Sequence, residues 1–467
     1  MRLPLRDLER LPGAAVINRA ALARALPRGV ATDSRTASPG DLFFALRGEN
    51  GDGHRFVAAA FAAGAAAAVV ERGFDIASVP GKPLIVVEDA RRALGALARH
   101  HRERFRGPVI AVAGSNGKTT TKEMIAAVLG ERYSVLHTAG NFNNDIGVPL
   151  TLLRLSRGHE VAVVEIGTNH PGEIARLAAI CAPTHGLITC IGREHLEFFG
   201  TVEGVAREEE ALFTDLAARR GTTALVNADD ARVRRAARGV PKRLAYGFRS
   251  RAAEVRGRKL RLDGEGRAHF EFRTPGARAW QAVQLGIPGR HMATGALAAA
   301  AAGAALRVPP VRIARALARI AAVPGRMETL TIAGVRVLND AYNANPDSAL
   351  AALEALAALR VPGRRIAVLG DMKELGSAAS EGHEEIGRRA AALGIDYVLT
   401  VGELARRIHA AAGIPGAIHY EGRNALAEYL AELVTEGDAV LVKGSHAMRL
   451  EDIVTFLKER LAPEAKR

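Results

Sequence analysis

Cysteine is nearly missing from this chain: Cys181 and Cys190 are the whole supply in 467 residues. Two thiols make no disulfide framework, which excludes the small bridge-held secreted scaffolds and suits a reducing cytoplasm. Both sit in apolar surroundings and read as small core residues rather than ligands. Aromatic residues are scarce as well, at 4% with a single tryptophan. A single-stranded nucleic-acid platform needs bases stacked on aromatic rings inside a basic groove, and no such interleaving is visible. The net charge of +14 is therefore not read as nucleic-acid binding. Its arginines are scattered among alanines, as in "ARVRRAARGVPKR" and "RSRAAEVRGRK", and make a solvated basic surface that also attracts anionic small molecules.

Long apolar runs are lacking too. The longest weakly polar stretch, "FVAAAFAAGAAAAVV" from Phe56, is alanine-dominated and too short to span a bilayer. It reads as a packed helix running into a strand. The opening "MRLPLRDLERLPG" has charges throughout and no apolar core, so neither a signal peptide nor a membrane segment is expected. Hydrophobic content of 48% and charged content of 24% are those of a globular protein, and the length suits about three domains.

What is present is a phosphate loop. In "AVAGSNGKTTTKEMIAAVL" an apolar run, Val109 to Ala113, leads into a helix that buries Met124, Ile125, Val128 and Leu129 on one stripe. Between them, Gly114 and Gly117 let the backbone approach phosphate oxygens closely, with N–H groups and the positive helix end facing the anion. The segment Gly114, Ser115, Asn116, Gly117, Lys118, Thr119 and Thr120 is thus expected to hold a nucleoside triphosphate. Lys118 would reach the β- and γ-phosphates and Thr119 would hold Mg²⁺. The match is Gly-x-x-Gly-Lys-Thr only, because Val112 stands where the longer pattern has its first glycine. A kinase, a switch, a motor and a ligase can all start from such a loop.

Alternating strand-like and helix-like segments continue from the loop almost to the C-terminus, the pattern of an α/β architecture. "VAVVEIG", "HGLITCIG", "RRIAVLGDM" and "DAVLVKGS" read as parallel strands, whereas Arg251 to Leu285 is polar and arginine-rich with the alternation of antiparallel strands. Boundaries fall near His101 to Gly107 and near Val323. In open parallel sheets ligands gather at the carboxyl ends of strands. Glu165 ends one such strand and His195 follows another, so together they could hold a second cation near the γ-phosphate; a lone strand-end glutamate is more often a helix-capping or surface group.

The runs "GSNGKTTTKE", "TAGNFNNDIGVPLTLL", "VVEIGTNHPGEI" and "EHLEFFGTVEGVA" together resemble the Mur ligases of bacterial cell-wall synthesis. "PGRMETL", "NDAYNANPDSALAAL" and "VLGDMKELG" followed by His383 narrow the resemblance to the member that joins D-alanyl-D-alanine to UDP-MurNAc-tripeptide. "DSRTASPGDLFFALRGENGDGHRF" is similar to the family's uridine-diphosphate-binding segment. The resemblance implies a three-domain α/β fold: a UDP-substrate domain (1–102), a central P-loop parallel-sheet ATPase domain (103–322) and a C-terminal Rossmann-like lid (323–467). It implies a monomeric cytoplasmic enzyme using ATP and Mg²⁺, with an acyl phosphate formed before the amide. It also implies roles. Ser34 and Arg35 match the UDP motif, Asn143 and Asn144 lie beside the active site, Arg326 and Asp340 meet the nucleotide, and Lys443 approaches phosphates or substrate. A folylpolyglutamate-synthase-like ligase and a nucleotide-dependent switch are the alternatives; the UDP-type segment argues against the first.

Three positions depart from the family pattern. Met292 and Gly295 stand where two asparagines usually border the adenine, and His446 stands where arginine is common, so a fixed charge becomes a titratable one. The third is Glu209. Mur ligases usually place there a lysine that CO₂ carbamylates to help hold the second magnesium. The expectation is that Glu209 supplies that negative charge directly, as catalytic and metal residue with Lys118, Glu165, His195 and Thr119. The competing reading makes Glu208, Glu209 and Glu210 a solvated acidic run.

Overall fold

The computed structural model describes residues 3–48 and 51–461. The chain divides into two compact units. One gathers the chain up to Ala111 with Tyr133–Gly167 and Glu173–Thr184; the other gathers Val112–Arg132, Thr168–Gly172 and the chain from His185 onward.

In the first unit a five-stranded sheet runs in the order Ala15–Ile17, Leu84–Val87, Ala67–Glu71, Asp41–Phe44, Gly29–Ala31. Only Ala15–Ile17 is antiparallel to its neighbour; the other pairs are parallel. The alanine-rich stretch from Phe56 forms the helix Val57–Ala62 and then the strand Ala67–Glu71. Phe43, Val57, Ala60, Phe61, Val70 and Leu84 pack there into one core. A parallel pair, Val135–His137 with Val161–Glu165, belongs to the same unit.

In the second unit His185–Ile188, Thr223–Asn227, Arg243–Gly247 and Val255–Leu262 pair in parallel succession. The last of these turns into an antiparallel meander with Arg267–Arg273 and Gln281–Pro288. Alternation puts Ala268, Phe270 and Phe272 inward and polar residues outward. Trp280, just before the last strand, lies under the guanidinium of Arg258 at 3.9 Å. The C-terminal part is a six-stranded sheet in the order Glu328–Ile332, Val335–Asn339, Ala439–Lys443, Arg365–Gly370, Tyr397–Val401, Ala417–Tyr420. All its pairs but the first are parallel. Its core joins Val337, Ile366, Val368, Leu399 and Val440 with Leu426, Leu430, Ile453 and Leu457 from two covering helices. His383 fastens this sheet from inside: its Nε2 accepts from the Met372 N–H at 2.9 Å while its Nδ1 donates to the Ala379 carbonyl at 2.6 Å.

A cavity of about 580 Å³ opens at the amino ends of the parallel strands, lined by His185, Thr223, Arg243 and Thr274 among others. It lies at the opposite end of those strands from the phosphate loop. Burial and the neighbouring Lys242 hold the His185 imidazole down to about 4. Among the described residues no helix is long and apolar enough to cross a membrane.

Candidate active site

Every residue of Val109–Ala113 is buried, and the chain leaves this strand through Gly114 at φ 115°. A Cβ at Gly114 would lie 2.3 Å from Thr189 Oγ1, so only glycine lets the loop press against the neighbouring strand end. Gly117, at φ 77°, then opens the helix Lys118–Gly130 with no side-chain cap. No N-cap side chain covers the first turn, so the helix presents its positive end to an anion. The loop is held rigidly: Ser115 N–H donates to the Cys190 carbonyl at 2.9 Å, Ser115 Oγ accepts from Gly192 N–H at 2.9 Å, and Thr189 Oγ1 donates to the Asn116 carbonyl at 2.7 Å. Cys190 Sγ lies 3.7 Å from the same carbonyl, and burial pushes its thiol up to about 12. It is a packing residue, as is the fully buried Cys181.

Lys118 folds back so that its Nζ donates to the Gly114 carbonyl at 2.6 Å and lies 3.5 Å from Glu194 Oε2. Glu209 reaches the same place from the helix Val202–Ala217. It is 0% exposed, and neither carboxylate oxygen has a hydrogen-bond partner. Burial first, and then the Glu194 charge, raise its carboxyl well above the usual range; Lys118 and the nearby Gly114 amide, which does not meet it in hydrogen-bonding geometry, pull the other way. The acidic run is therefore not solvated as a block. Helical geometry turns Glu208 and Glu209 inward and leaves Glu210 exposed. Glu208 has a job of its own: its carboxylate accepts from Gly172 N–H at 2.7 Å and from Thr168 Oγ1 at 3.4 Å, anchoring the loop between them.

His195 sits at φ 47°, a left-handed conformation uncommon for a side-chain-bearing residue and often seen where function imposes it. Its Nδ1 is hydrogen-bonded to Glu374, itself at φ 62°, and that bond holds the Glu374 carboxyl below the usual range. Its Nε2 lies 3.9 Å from Glu194 Oε2. The preceding Arg193 donates from Nε and Nη2 to Asp347 Oδ1 at 2.9 and 2.7 Å and from Nη1 to Glu385 at 2.5 Å. Its own N–H donates to Asp347 Oδ2 at 2.7 Å. The phosphate loop is tied to the same region, because the side-chain amides of Asn116 and Asn345 exchange hydrogen bonds at 3.3 and 2.9 Å. Asn345 caps the helix Pro346–Ala358 through a capping box with Ser348.

The other expected residues are placed as follows. Thr119 and Thr120 are buried in the first turn of the loop helix. Asp340 pairs with Lys443 at 2.6 Å and accepts from Met327 N–H at 3.0 Å; Lys443 also donates to the Asn343 carbonyl. Arg326 lies over the Tyr342 ring at 3.9 Å, and His446 stacks beside that ring at 5.2 Å between centroids. In the other unit, Asn143 Nδ2 donates to the buried Glu165 at 2.8 Å, while Asn144 Oδ1 accepts from Gly147 N–H at 2.9 Å and starts the helix Gly147–Leu153. Arg35 pairs with Asp33, whose carboxyl that guanidinium holds at about 2; Ser34 lies between them in the same turn. Gly295 has a steric reason: a Cβ there would meet Thr121 Oγ1 at 2.9 Å, so the helix Met292–Ala305 lies against the loop helix with no room for an amide.

Among the described residues no three His, Cys, Asp or Glu side chains form a ready metal cage. Magnesium does not require one, since one or two carboxylates plus substrate phosphates commonly suffice. Buried Glu209 and Glu194, with oxygens left unpaired, suit a cation in that manner. Arg193, Glu194, Asn345 and Asp347 were not singled out from sequence. The available signal was the charged tripeptide Arg193-Glu194-His195 directly after a strand end.

Comparison with known proteins decides the family. The chain matches the Mur ligase family, catalytic domain, over residues 27–102; the Mur ligase middle domain over 112–303; and the Mur ligase, glutamate ligase domain, over 325–446. The chain belongs to the Mur ligase family. The ligase is 39% identical to UDP-N-acetylmuramoyl-tripeptide–D-alanyl-D-alanine ligase of Escherichia coli (strain K12), over 92% of this chain and 93% of that one. It is 36% identical to the enzyme of the same name from Bacillus subtilis (strain 168), over 92% and 93%. Its structure resembles MurF from Acinetobacter baumannii with a TM-score of 0.89 at 32% identity, covering 98% of this chain and 99% of that one. The MurF ligase from Thermotoga maritima in complex with ADP matches with a TM-score of 0.81 at 31% identity, over 93% and 98%. The ligase thus has the three-part α/β architecture of its family.

Proposed function

We propose that this ligase joins D-alanyl-D-alanine to UDP-MurNAc-tripeptide with ATP as the energy source, forming UDP-MurNAc-pentapeptide for peptidoglycan synthesis. The observation that carries the reading is the phosphate loop, a helix N-terminus without a side-chain cap and with a half-buried lysine at its mouth, in a chain whose relatives carry that activity along nearly its whole length.

The terminal carboxylate of the tripeptide attacks the γ-phosphorus and ADP leaves; the amine of D-alanyl-D-alanine then attacks the acyl carbon, phosphate leaves, and the amine loses a proton. Both partners in the first step are anionic. Lys118 and the loop amides offset their repulsion where negative charge spreads over the equatorial oxygens. Thr119, Glu165, His195, Glu194 and Glu209 are the residues available to magnesium, which when bound supplies further positive charge to the phosphates. Glu209 stands in for the carbamylated lysine, and its burial without a hydrogen-bond partner supports that role. Asp340 and Lys443 lie at the carboxyl ends of parallel C-terminal strands, where ligands of parallel sheets collect, and Arg326 lies beside them at the start of the antiparallel edge strand; Arg35 and Ser34 serve the UDP end. The division at 1–102, 103–322 and 323–467 assigns these tasks to three domains of a monomer. A cytoplasmic location is part of this proposal; the low cysteine content and the need for ATP support it.

The test is ADP release measured with each substrate withheld in turn. Turnover that needs both UDP-MurNAc-tripeptide and D-alanyl-D-alanine supports the reading. Turnover independent of the amine, or with another carboxylate alone, refutes it.

A further inference from the structure

Glu194 and Glu209 come from different elements, the loop after the strand His185–Ile188 and the helix Val202–Ala217; Glu194 lies 3.5 Å from Lys118 Nζ, and Glu209 is buried within electrostatic reach of both. Glu194 is 5% exposed and Glu209 0%. Three of their four carboxylate oxygens, Glu194 Oε1 and both of Glu209, have no hydrogen-bond partner among the described residues. Buried carboxylates in this condition are destabilising and persist where something other than folding requires them. One lysine cannot balance both, and the neighbouring His195 has its Nδ1 engaged by Glu374. A triphosphate brought to the same loop would add negative charge rather than relieve it. The missing component is a compact, strongly positive ion.

We infer that Glu194 and Glu209 form a two-carboxylate site for one divalent cation that enters with the nucleotide. Lys118 Nζ donates to the Gly114 carbonyl at 2.6 Å and lies 3.5 Å from Glu194 Oε2. Magnesium and manganese suit the site, since they accept hard oxygen donors and take one or two carboxylates alongside phosphate oxygens and water. The inference rests on the nucleotide-site reading above and adds Glu194 as a binding residue that no motif marks.

The experiment measures Mn²⁺ binding by electron paramagnetic resonance in the presence of ADP, together with thermal midpoints without metal, for the wild type, Glu194→Gln, Glu209→Gln and the exposed control Glu210→Gln. Each of the first two variants should weaken Mn²⁺ binding by about 10-fold or more. Each should also raise the metal-free midpoint, because an amide replaces a charge that folding does not satisfy, and Glu210→Gln should do neither. A purely structural Glu194 predicts the reverse: a lowered midpoint with unchanged Mn²⁺ affinity. That result in Glu194→Gln would overturn the pair while leaving the nucleotide site standing. If the wild type fails to bind ADP with Mn²⁺ at all, the nucleotide-site reading itself falls. Glu194→Asp, which keeps the charge on a shorter arm, should recover part of the lost affinity; no recovery over Gln would count against direct ligation.

Discussion

Replacing Arg193 by alanine removes three side-chain hydrogen bonds that tie the loop bearing Glu194 and His195 to the helix Pro346–Ala358 and to Glu385. The carboxylate side chains are 37% and 36% exposed, so solvent screens both pairs. Each is taken as about 1 kcal/mol, the upper end for partly exposed pairs, giving about 2 kcal/mol together. That corresponds to a factor of about 30 in an equilibrium constant. Asp347→Ala should cost more than Arg193→Ala, because it also strips the acceptor from the Arg193 N–H; an unsatisfied amide adds about 1–3 kcal/mol. A chain of this size need not unfold in one step, so the measurement is native-state hydrogen exchange of the amide at position 193. Protection should fall by about 30-fold at most in Arg193→Ala and essentially vanish in Asp347→Ala. Half-molar salt should shrink the difference between wild type and Arg193→Ala, since the lost pairs are screened. Equal protection in the two proteins at low salt would refute the reasoning.

Lys118→Ala should lower ligation by about 10² to 10³ with circular dichroism unchanged, because it removes a phosphate-facing charge and no core packing; near wild-type turnover would remove Lys118 from the chemistry. Replacing Glu165 or His195 should raise the magnesium concentration needed for half-maximal activity, and an unmoved requirement in both would return them to structural roles. Activity should not respond to removal of bicarbonate, and Glu209→Gln should be far more damaging than Glu210→Gln; strong bicarbonate dependence would contradict a carboxylate in place of a carbamate. For His185, the folded value of about 4 lies below the ordinary 6.5, so folding favours the neutral ring. Stability is full above pH 6.5, declines as pH falls toward 4 and levels off below, by about 3 kcal/mol in all. Urea midpoints of His185→Gln should show a shallower loss over that window, and an identical acid limb would show that His185 does not contribute.

The phosphate loop was legible because its signal is local. A strand, two glycines and a helix start lie within one short run, and the fold could build it only one way. The parallel strands and the antiparallel meander were legible for the same reason, from apolar runs and from alternation in "AHFEFR". Glu209 was found by its register with the family, but its burial was not: three consecutive glutamates look alike until the helix is placed and only two of them point inward. Arg193 and Asp347 lie 154 positions apart, and Asn116 and Asn345 lie 229 apart. Such pairings arise from tertiary packing and leave no periodicity to read. Glu194 was hidden by its neighbour, since "REH" draws attention to the imidazole while the buried carboxylate is the one against Lys118. Gly295 read as a missing base-reading amide; its tight approach to Thr121 supplies the reason.

The chemical silence of the two thiols has a practical side. Cys181 is sealed in the core, and Cys190 is only partly accessible, with its thiol pushed up to about 12. Reaction with a maleimide or iodoacetamide needs the thiolate, so Cys181 should not label in the folded protein and Cys190 should label far more slowly than an engineered surface cysteine. A dye pair could therefore be placed on engineered surface cysteines, one beside the phosphate loop and one on the C-terminal sheet, without removing the native residues. Distance changes upon nucleotide addition could then be followed molecule by molecule, in an enzyme whose own scarcity of sulfur has already cleared the background.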